Sequence, residues 1–482
     1  MTRPIEEAAP RGRPAVSHGS HSPQSFDWLR YPEAESFVTE RLGEFVAATT
    51  WVRAFADTLL QRTGSRLVDW LDHLVLADGD RCRNQLTNLG FEPVEAGPVP
   101  APAGDVGYYH PGAIFPRLVL RADTGAPPGA TVAAAIQVED ISDFLMSNQL
   151  PAPIEGTLLS PYRRSRIAQE NGCEFLVVER RGHSGFVPTA MPADYSQRYL
   201  HALERWATRP RLFTDRQAGM EHTLQLARSL VNDMGTDSAA WIAFAAERAH
   251  WQQRNRAAQA QKASHDSLGL GWANHDHHTF RSSREVFPLL IEILETLGFR
   301  PRERFYAGAD AGWGAQVMEQ PVCRLAVFAD VDLSPEEVKG DFAHTPLPPR
   351  PELSTVGLWC ALHGESMLGA GLHHLAGRFD FDAAAVNLAG WGINMMRPFS
   401  DFSYLRQAFT RGERWHVAPD RLQRLVAAGQ IDEAQSAQFA EKGAIGSHLE
   451  NIQRAEGFKG FNQQRISDII RRTDPRANIE AQ

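Results

Sequence analysis

The sequence predicts an α+β protein built from tandem βαβββ modules, and three observations carry that prediction. Two pentads, Leu89-Gly90-Phe91-Glu92-Pro93 and Leu297-Gly298-Phe299-Arg300-Pro301, close similar helical stretches in the two halves. Each follows a strand-like run that holds an Asp-His dipeptide, Asp72-His73 in the first half and Asp276-His277 in the second. At 482 residues the chain also exceeds what one core usually fills, so four small modules fused in pairs account for its length.

Met1 to Pro23 is rich in Pro, Arg, Ser and His with no apolar run, which predicts a disordered lead-in through about residue 30 and not a signal peptide; cytoplasm is the default. Glu33 to Gln61 has apolar residues at helical spacing (Phe37, Leu42, Phe45, Trp51, Phe55, Leu59), so one or two amphipathic helices open the folded part. Leu71 to Leu76 is a short β-type run. A helix ending at Leu89-Gly90 follows it, then strands near Tyr108 and over Arg117 to Arg121, with turns at Gly97 to Asp105 and Gly125 to Gly129. Residues 31–192 are therefore expected to hold the N-terminal helices and a diverged pair of modules. Asp194 to Lys262 is helical in pattern and predicts a bridge over residues 193–266.

The same order returns afterwards. His275 to Phe280 is strand-like, Arg284 to Leu297 is an amphipathic helix, and Gly298 suits a left-handed C-cap with Pro301 preventing continuation. Gly314 to Glu319 and Cys323 to Asp330 supply two strands, the second nearly continuous in apolar residues. Leu347-Pro348-Pro349-Arg350-Pro351 marks entry to a fourth unit. In it His374 leads a strand, Phe381 to Trp391 forms a helix, Arg411 to Lys442 is a helical insertion and Ile445 to Gln453 is the last strand. Residues 267–482 form the second module pair.

Composition narrows the function. A net charge of -9 disfavours nucleic-acid binding, which needs a basic footprint; Arg163-Arg164-Ser165-Arg166 and Arg471-Arg472 fit solvated faces. No run approaches the ~18 apolar residues of a membrane span. The four cysteines contain no C-x-x-C pair and fit buried thiols.

Two imidazoles and a carboxylate, His277, His374 and Glu450, form the set that holds Fe(II) on one face and leaves other positions open to O2 and a chelating acid. They lie far apart in the chain, so only the fold could join them, and no His-Glu-x-x-His helix is present. His275 could share a strand face with His277 and is a reserve ligand. Arg281, four residues beyond His277, would stand roughly 13 Å along that face at ~3.3 Å per residue, where it either grips a substrate carboxylate or makes a surface salt bridge. Gln407, Gln453 and Gln316 offer hydrogen bonds, and His448, two before Glu450, is either a pocket group or a core histidine. In the first half His73 stands where His277 does and Glu179 lies on a late strand. Gln137 to Ile141 offers no second imidazole, so that half is expected to be a scaffold.

Four motifs, His277-His278-Thr279-Phe280-Arg281, His373-His374-Leu375, Leu405-Arg406-Gln407 and Glu450-Asn451-Ile452-Gln453-Arg454, agree in order and spacing with one family. Over residues 270–465 the chain resembles the 2-oxoadipate dioxygenase/decarboxylases, distant relatives of vicinal-oxygen-chelate enzymes such as hydroxymandelate synthase. The resemblance implies a vicinal-oxygen-chelate-like fold, Fe(II) on His277, His374 and Glu450, a substrate-carboxylate role for Arg281, and catalytic roles for Gln453 and Gln407; His448 joins the expected catalytic residues only by its spacing from Glu450. Its expected partners are a small 2-oxo acid and O2, with no nucleic acid and no membrane. His278 and His373 replace a glycine and an asparagine of the family pattern, so the acid itself is not carried over. Two other readings stay open: a redox-neutral isomerase or lyase using Zn(II) or Mn(II) as Lewis acid, and a non-catalytic small-molecule-binding protein.

Overall fold

The computed structural model describes residues 28–94, 105–462 and 474–476; the expected lead-in through residue 27, nearly all of the Gly97 to Asp105 turn and Arg471-Arg472 lie outside them. Helices α1 (Pro32–Ala48), α2 (Thr50–Thr63) and the single turn α3 (Leu67–Trp70) come first. Then follows β1 (Leu71–Ala77), α4 (Asp80–Asn88), β2 (Glu92–Pro93), β3 (Val106–Tyr109) and β4 (Arg117–Arg121), one βαβββ module. A second is β5 (Thr131–Gln137), α5 (Ile141–Ser147), β6 (Ile154–Glu155), β7 (Tyr162–Glu170) and β8 (Cys173–Arg180). Four helices, α6 (Tyr195–Ala207), α7 (Arg216–Met234), α8 (Thr236–Gln252) and α9 (Arg256–Asp266), separate the halves.

The third module is β9 (His275–Arg281), α10 (Phe287–Thr296), β10 (Arg300–Tyr306), β11 (Trp313–Gln320) and β12 (Leu325–Asp332). Helix α11 (Thr355–His363), which the sequence reading did not foresee, leads to the fourth: β13 (His374–Arg378), α12 (Phe381–Gly390), β14 (Ser400–Phe402), β15 (Leu405–Phe409) and β17 (Ala444–Arg454). The insertion before β17 opens with strand β16 (Glu413–Trp415) and continues as α13 (Pro419–Ala427) and α14 (Glu433–Lys442), so it is not wholly helical as expected. Among the described residues no helix is long and apolar enough to cross a membrane.

The two sheets share one plan, β2-β3-β4-β1-β5-β8-β7-β6 and β10-β11-β12-β9-β13-β17-β15-β14. First and last strands of each module run parallel, and the two first strands of a pair meet antiparallel at the centre. That arrangement gives each sheet a local two-fold axis. Gly90 and Gly298 end α4 and α10 at φ 84° and 82°, the left-handed backbone that the repeated pentads require.

Apolar residues of the helices cover the outer sheet faces. Phe37, Phe45, Phe55 and Leu59 pack against the first sheet, and Leu290, Ile291, Leu294 and Phe244 against the second. Strand β9 is unusual because its sequence is polar and yet buried on both faces. His278 and Phe280 turn outward onto Phe244 of α8, leaving the inner face to His277, Thr279 and Arg281. Arg163 does not lie on a solvated face as expected: it is buried, because β7 and β8 align it with Glu179, whose carboxylate it binds at 3.1 Å.

Candidate metal centre

Register alone decides which side chains face the inner surface of the second sheet. His278 pairs with Leu375 at the two-fold axis, so the rotation exchanges His277 with His374. Glu450 pairs with Ala376, and the equivalent place beside Thr279 belongs to Phe328. Four symmetry-related positions thus point at one spot, and three of them carry donors.

His277, His374 and Glu450 are all buried, with one ligand atom from each inside a 4.8 Å sphere of mutual distance. Glu450 Oε2 lies 3.2 Å from Nε2 of both histidines, and the two Nε2 atoms are 3.4 Å apart. Each donor is oriented by a second group. Asp276 Oδ1 accepts from His277 Nδ1 at 3.0 Å, and Asp276 is itself held by Arg454 at 2.8 and 3.0 Å. Gln407 Nε2 donates to Glu450 Oε1 at 2.8 Å, leaving Oε2 turned to the histidines. His374 Nδ1 faces His373 Nδ1 at 3.1 Å, and its Nε2 contacts the Thr279 hydroxyl at 2.8 Å. Such outer partners set ligand tautomer and basicity.

The electrostatics suit a positive charge between these groups. Burial pushes Glu450 upward, but His277 and His374 outweigh it and bring the carboxyl down to about 2. Burial lowers His277, yet the Glu450 and Asp276 carboxylates hold it up to about 9. His374 is pushed down by burial to about 4, so its ring is neutral and available as a donor. The residues therefore fit a first-row divalent ion: two imidazoles, one ionised carboxylate and no donor at the Phe328 position.

Around the donors, a cavity of about 80 Å³ is lined by Arg281, Asp330, Trp313 and the phenyl rings of Phe305, Phe328 and Phe409, among others. Arg281 is buried, with Nε and Nη1 lacking hydrogen bonds and Asp330 Oδ2 3.7 Å from Nε. Its guanidinium lies 5.6 Å from the ring of Trp359 on α11. Burial lifts the Asp330 carboxyl to about 7 in spite of Arg281.

Of the expected site residues, the fold brings His277, His374, Glu450, Arg281 and Gln407 to one cavity. Gln453 is elsewhere: three positions beyond Glu450 it faces the opposite side of β17, and its side-chain oxygen accepts from Phe381 N at the start of α12. His448 is a core histidine, bound through Nδ1 to Thr410 O and packed on His373 and Phe409 outside the cavity lining. The reserve ligand His275 is also displaced. A bulge in the pairing with β13 between His277 and His275 turns it away, and it bonds Trp272 O and packs on Trp241 and His278. Gln316 binds the carbonyls of Glu303 and Val317. Asp276, Thr279, Phe328, Asp330 and His373 were not assigned from sequence; the repeated Asp-His dipeptide was the available signal for Asp276.

The chain matches no known family profile and no curated protein. Solved structures with some likeness include a mutant of 4-hydroxymandelate synthase from Streptomyces coelicolor, at 13% identity over 83% of this chain and 96% of that one with a TM-score of 0.25. A Mn(II)-bound glyoxalase from Novosphingobium aromaticivorans shows 11% identity over 80% and 82%, TM-score 0.19. The uncharacterized protein YdcJ from Shigella flexneri shows 12% over 52% and 87%, TM-score 0.25. Similarity at that level says nothing of what this chain binds or does.

Proposed function

We propose that the chain is a mononuclear non-haem Fe(II) oxygenase that oxidatively decarboxylates a 2-oxo acid bearing a second carboxylate. The observation that carries this reading is the buried His277–His374–Glu450 set with a phenyl ring, Phe328, at the fourth symmetric position. Four donors would favour a closed ion and redox-neutral polarisation; three leave room for a chelating acid and a gas molecule together. The motif resemblance to the 2-oxoadipate dioxygenase/decarboxylases supports the same choice.

His277, His374 and Glu450 would hold the ion, which when bound would supply a redox-active centre able to take up a chelating acid and O2. Asp276 keeps the His277 Nδ1 proton in place so that Nε2 presents a lone pair, and Gln407 fixes the rotation of the Glu450 carboxylate. Arg281, with unsatisfied N–H groups in the same cavity, would take the distal carboxylate of the substrate and set which end of the acid reaches the donors. The phenyl rings of Phe305, Phe328 and Phe409 exclude water around the reacting end.

The test is anaerobic Fe(II) reconstitution followed by O2 uptake and CO2 release with a panel of 2-oxo acids. One CO2 per O2 consumed, with preference for dicarboxylates, is expected. Tight metal binding without O2 uptake by any acid would favour the isomerase or lyase reading. Absence of metal binding would favour a binding protein.

A further inference from the structure

A second cavity, of about 330 Å³, lies between the two sheets and is separate from the donor cluster. Its wall combines Arg117 on β4 of the first half with Arg324 from the β11–β12 turn and Arg378 at the end of β13. The acids nearby are already engaged. Asp276 is bound by Arg454, Glu319 by Lys459 at 2.9 Å, and Asp72 by Arg180, which leaves Arg324 4.0 Å from it. Nη1 of Arg117 and Nε of Arg378 are buried without a hydrogen-bond partner, and among the described residues neither guanidinium has an ion pair.

The three arginines are partly buried, and cations drawn out of water without full compensation are costly, so a chain that collects them around one cavity is stabilised by an anion there. We propose that this inter-sheet cavity binds a small doubly charged oxyanion, a dicarboxylate or a phosphate, gripped by Arg117, Arg324 and Arg378. The guanidinium fork suits carboxylate and phosphate oxygens, and contributions from both halves give the ligand a part in holding the sheets together. Mutual repulsion is already felt: burial, then Arg180 and Arg324, push Arg117 down to about 9. The other arginine-rich cavity is a weaker candidate, because there Glu247 satisfies Arg211 and Glu365 lies 3.4 Å from Arg216. The inference is independent of the metal.

The test uses the full chain, with inorganic phosphate and succinate as probes, titrated at constant ionic strength while thermal unfolding is followed. A saturable rise in Tm with at least one probe is expected; response to phosphate alone identifies a phosphoryl ligand, and to succinate alone a dicarboxylate. In the double variant Arg117→Gln, Arg378→Gln the apparent affinity should fall about tenfold or more, while its Tm without probe equals or exceeds that of the parent. Arg424→Gln, in the other basic cavity, should keep the full response. No saturable rise with either probe, an undiminished rise in the double variant, or loss of the response in Arg424→Gln would overturn the proposal.

Discussion

The two sheets begin from the same constellation and finish differently. In the first, Arg180 on β8 binds Asp72 at 2.6 and 2.8 Å, and Asp72 binds His73 Nδ1 at 2.6 Å. In the second, Arg454 on β17, Asp276 and His277 repeat that relay. Around the first two-fold axis, where Leu74 pairs with Ala134, the places of His374, Glu450 and Phe328 are taken by Ala133, Leu176 and Val119. These join Val75, Tyr162, Val178 and Phe186 in a packed apolar cluster, with Phe186 against the ring of His73 at 4.9 Å. An oriented histidine is therefore not a metal site. It becomes a candidate only where its symmetric neighbours also carry donors and the space between them is left open.

The sharpest way to break this contrast is Glu450→Ala, expected to cut metal retention by about 100-fold or more and to take activity with it, as read by metal analysis and O2 uptake. An iron-loaded, active variant would end the assignment of the third ligand. Next comes a matched pair. Asp276→Asn should weaken metal affinity by roughly 10–100-fold, whereas Asp72→Asn should leave it unchanged. The latter should instead lower thermal stability, since an unpaired buried Arg180 costs ~3–5 kcal/mol. Equal metal affinities in the two variants would show that the relays are both structural.

Arg281→Ala should raise KM for a dicarboxylic 2-oxo acid roughly 10–100-fold, the worth of a charge-assisted pair, with kcat changed only a few-fold; a fall in kcat alone would contradict a binding role. The smallest effect is a pH dependence. Burial lifts Asp330 to about 7, so below that pH its carboxyl is neutral and Arg281 is free to receive an anion. As pH rises through 7 the carboxylate forms and competes, so KM should climb by a few-fold, and Asp330→Asn should flatten that rise. The linked stability has the same sign: a raised carboxyl contributes most below its unfolded value and loses that contribution as pH passes about 7. No counterpart exists in the first sheet, where Arg121 stands at the corresponding β4 position.

Much of this was legible locally. The Asp-His dipeptides, the Leu-Gly-Phe pentads and the strand runs over β1, β4, β9 and β17 come from short-range patterns that any chain segment expresses by itself. Gln453 and His275 show where such patterns stop. Both lie in strands beside true cavity residues, but an odd offset turns Gln453 to α12, and a one-residue bulge turns His275 to the helical layer. The equivalents of His374 and Glu450 in the first half were sought at Gln137 to Ile141 and Glu179. Register puts them at Ala133 and Leu176, while Glu179, like Gln453, accepts from the first residue of its own module's helix, here Ile141 of α5.

By itself the sequence determined most element types, the repeated module order and which residues had ligand chemistry to offer, because propensity, periodicity and donor type are properties of neighbours in the chain. Tertiary structure decided which donors meet. Pairing of β9 with β13, and of β13 with β17, sets the face each side chain occupies, and a slip of one residue would reverse it. It also decided that one of two like sheets is filled and the other hollow, since that depends on volumes contributed by strands and helices distant in sequence.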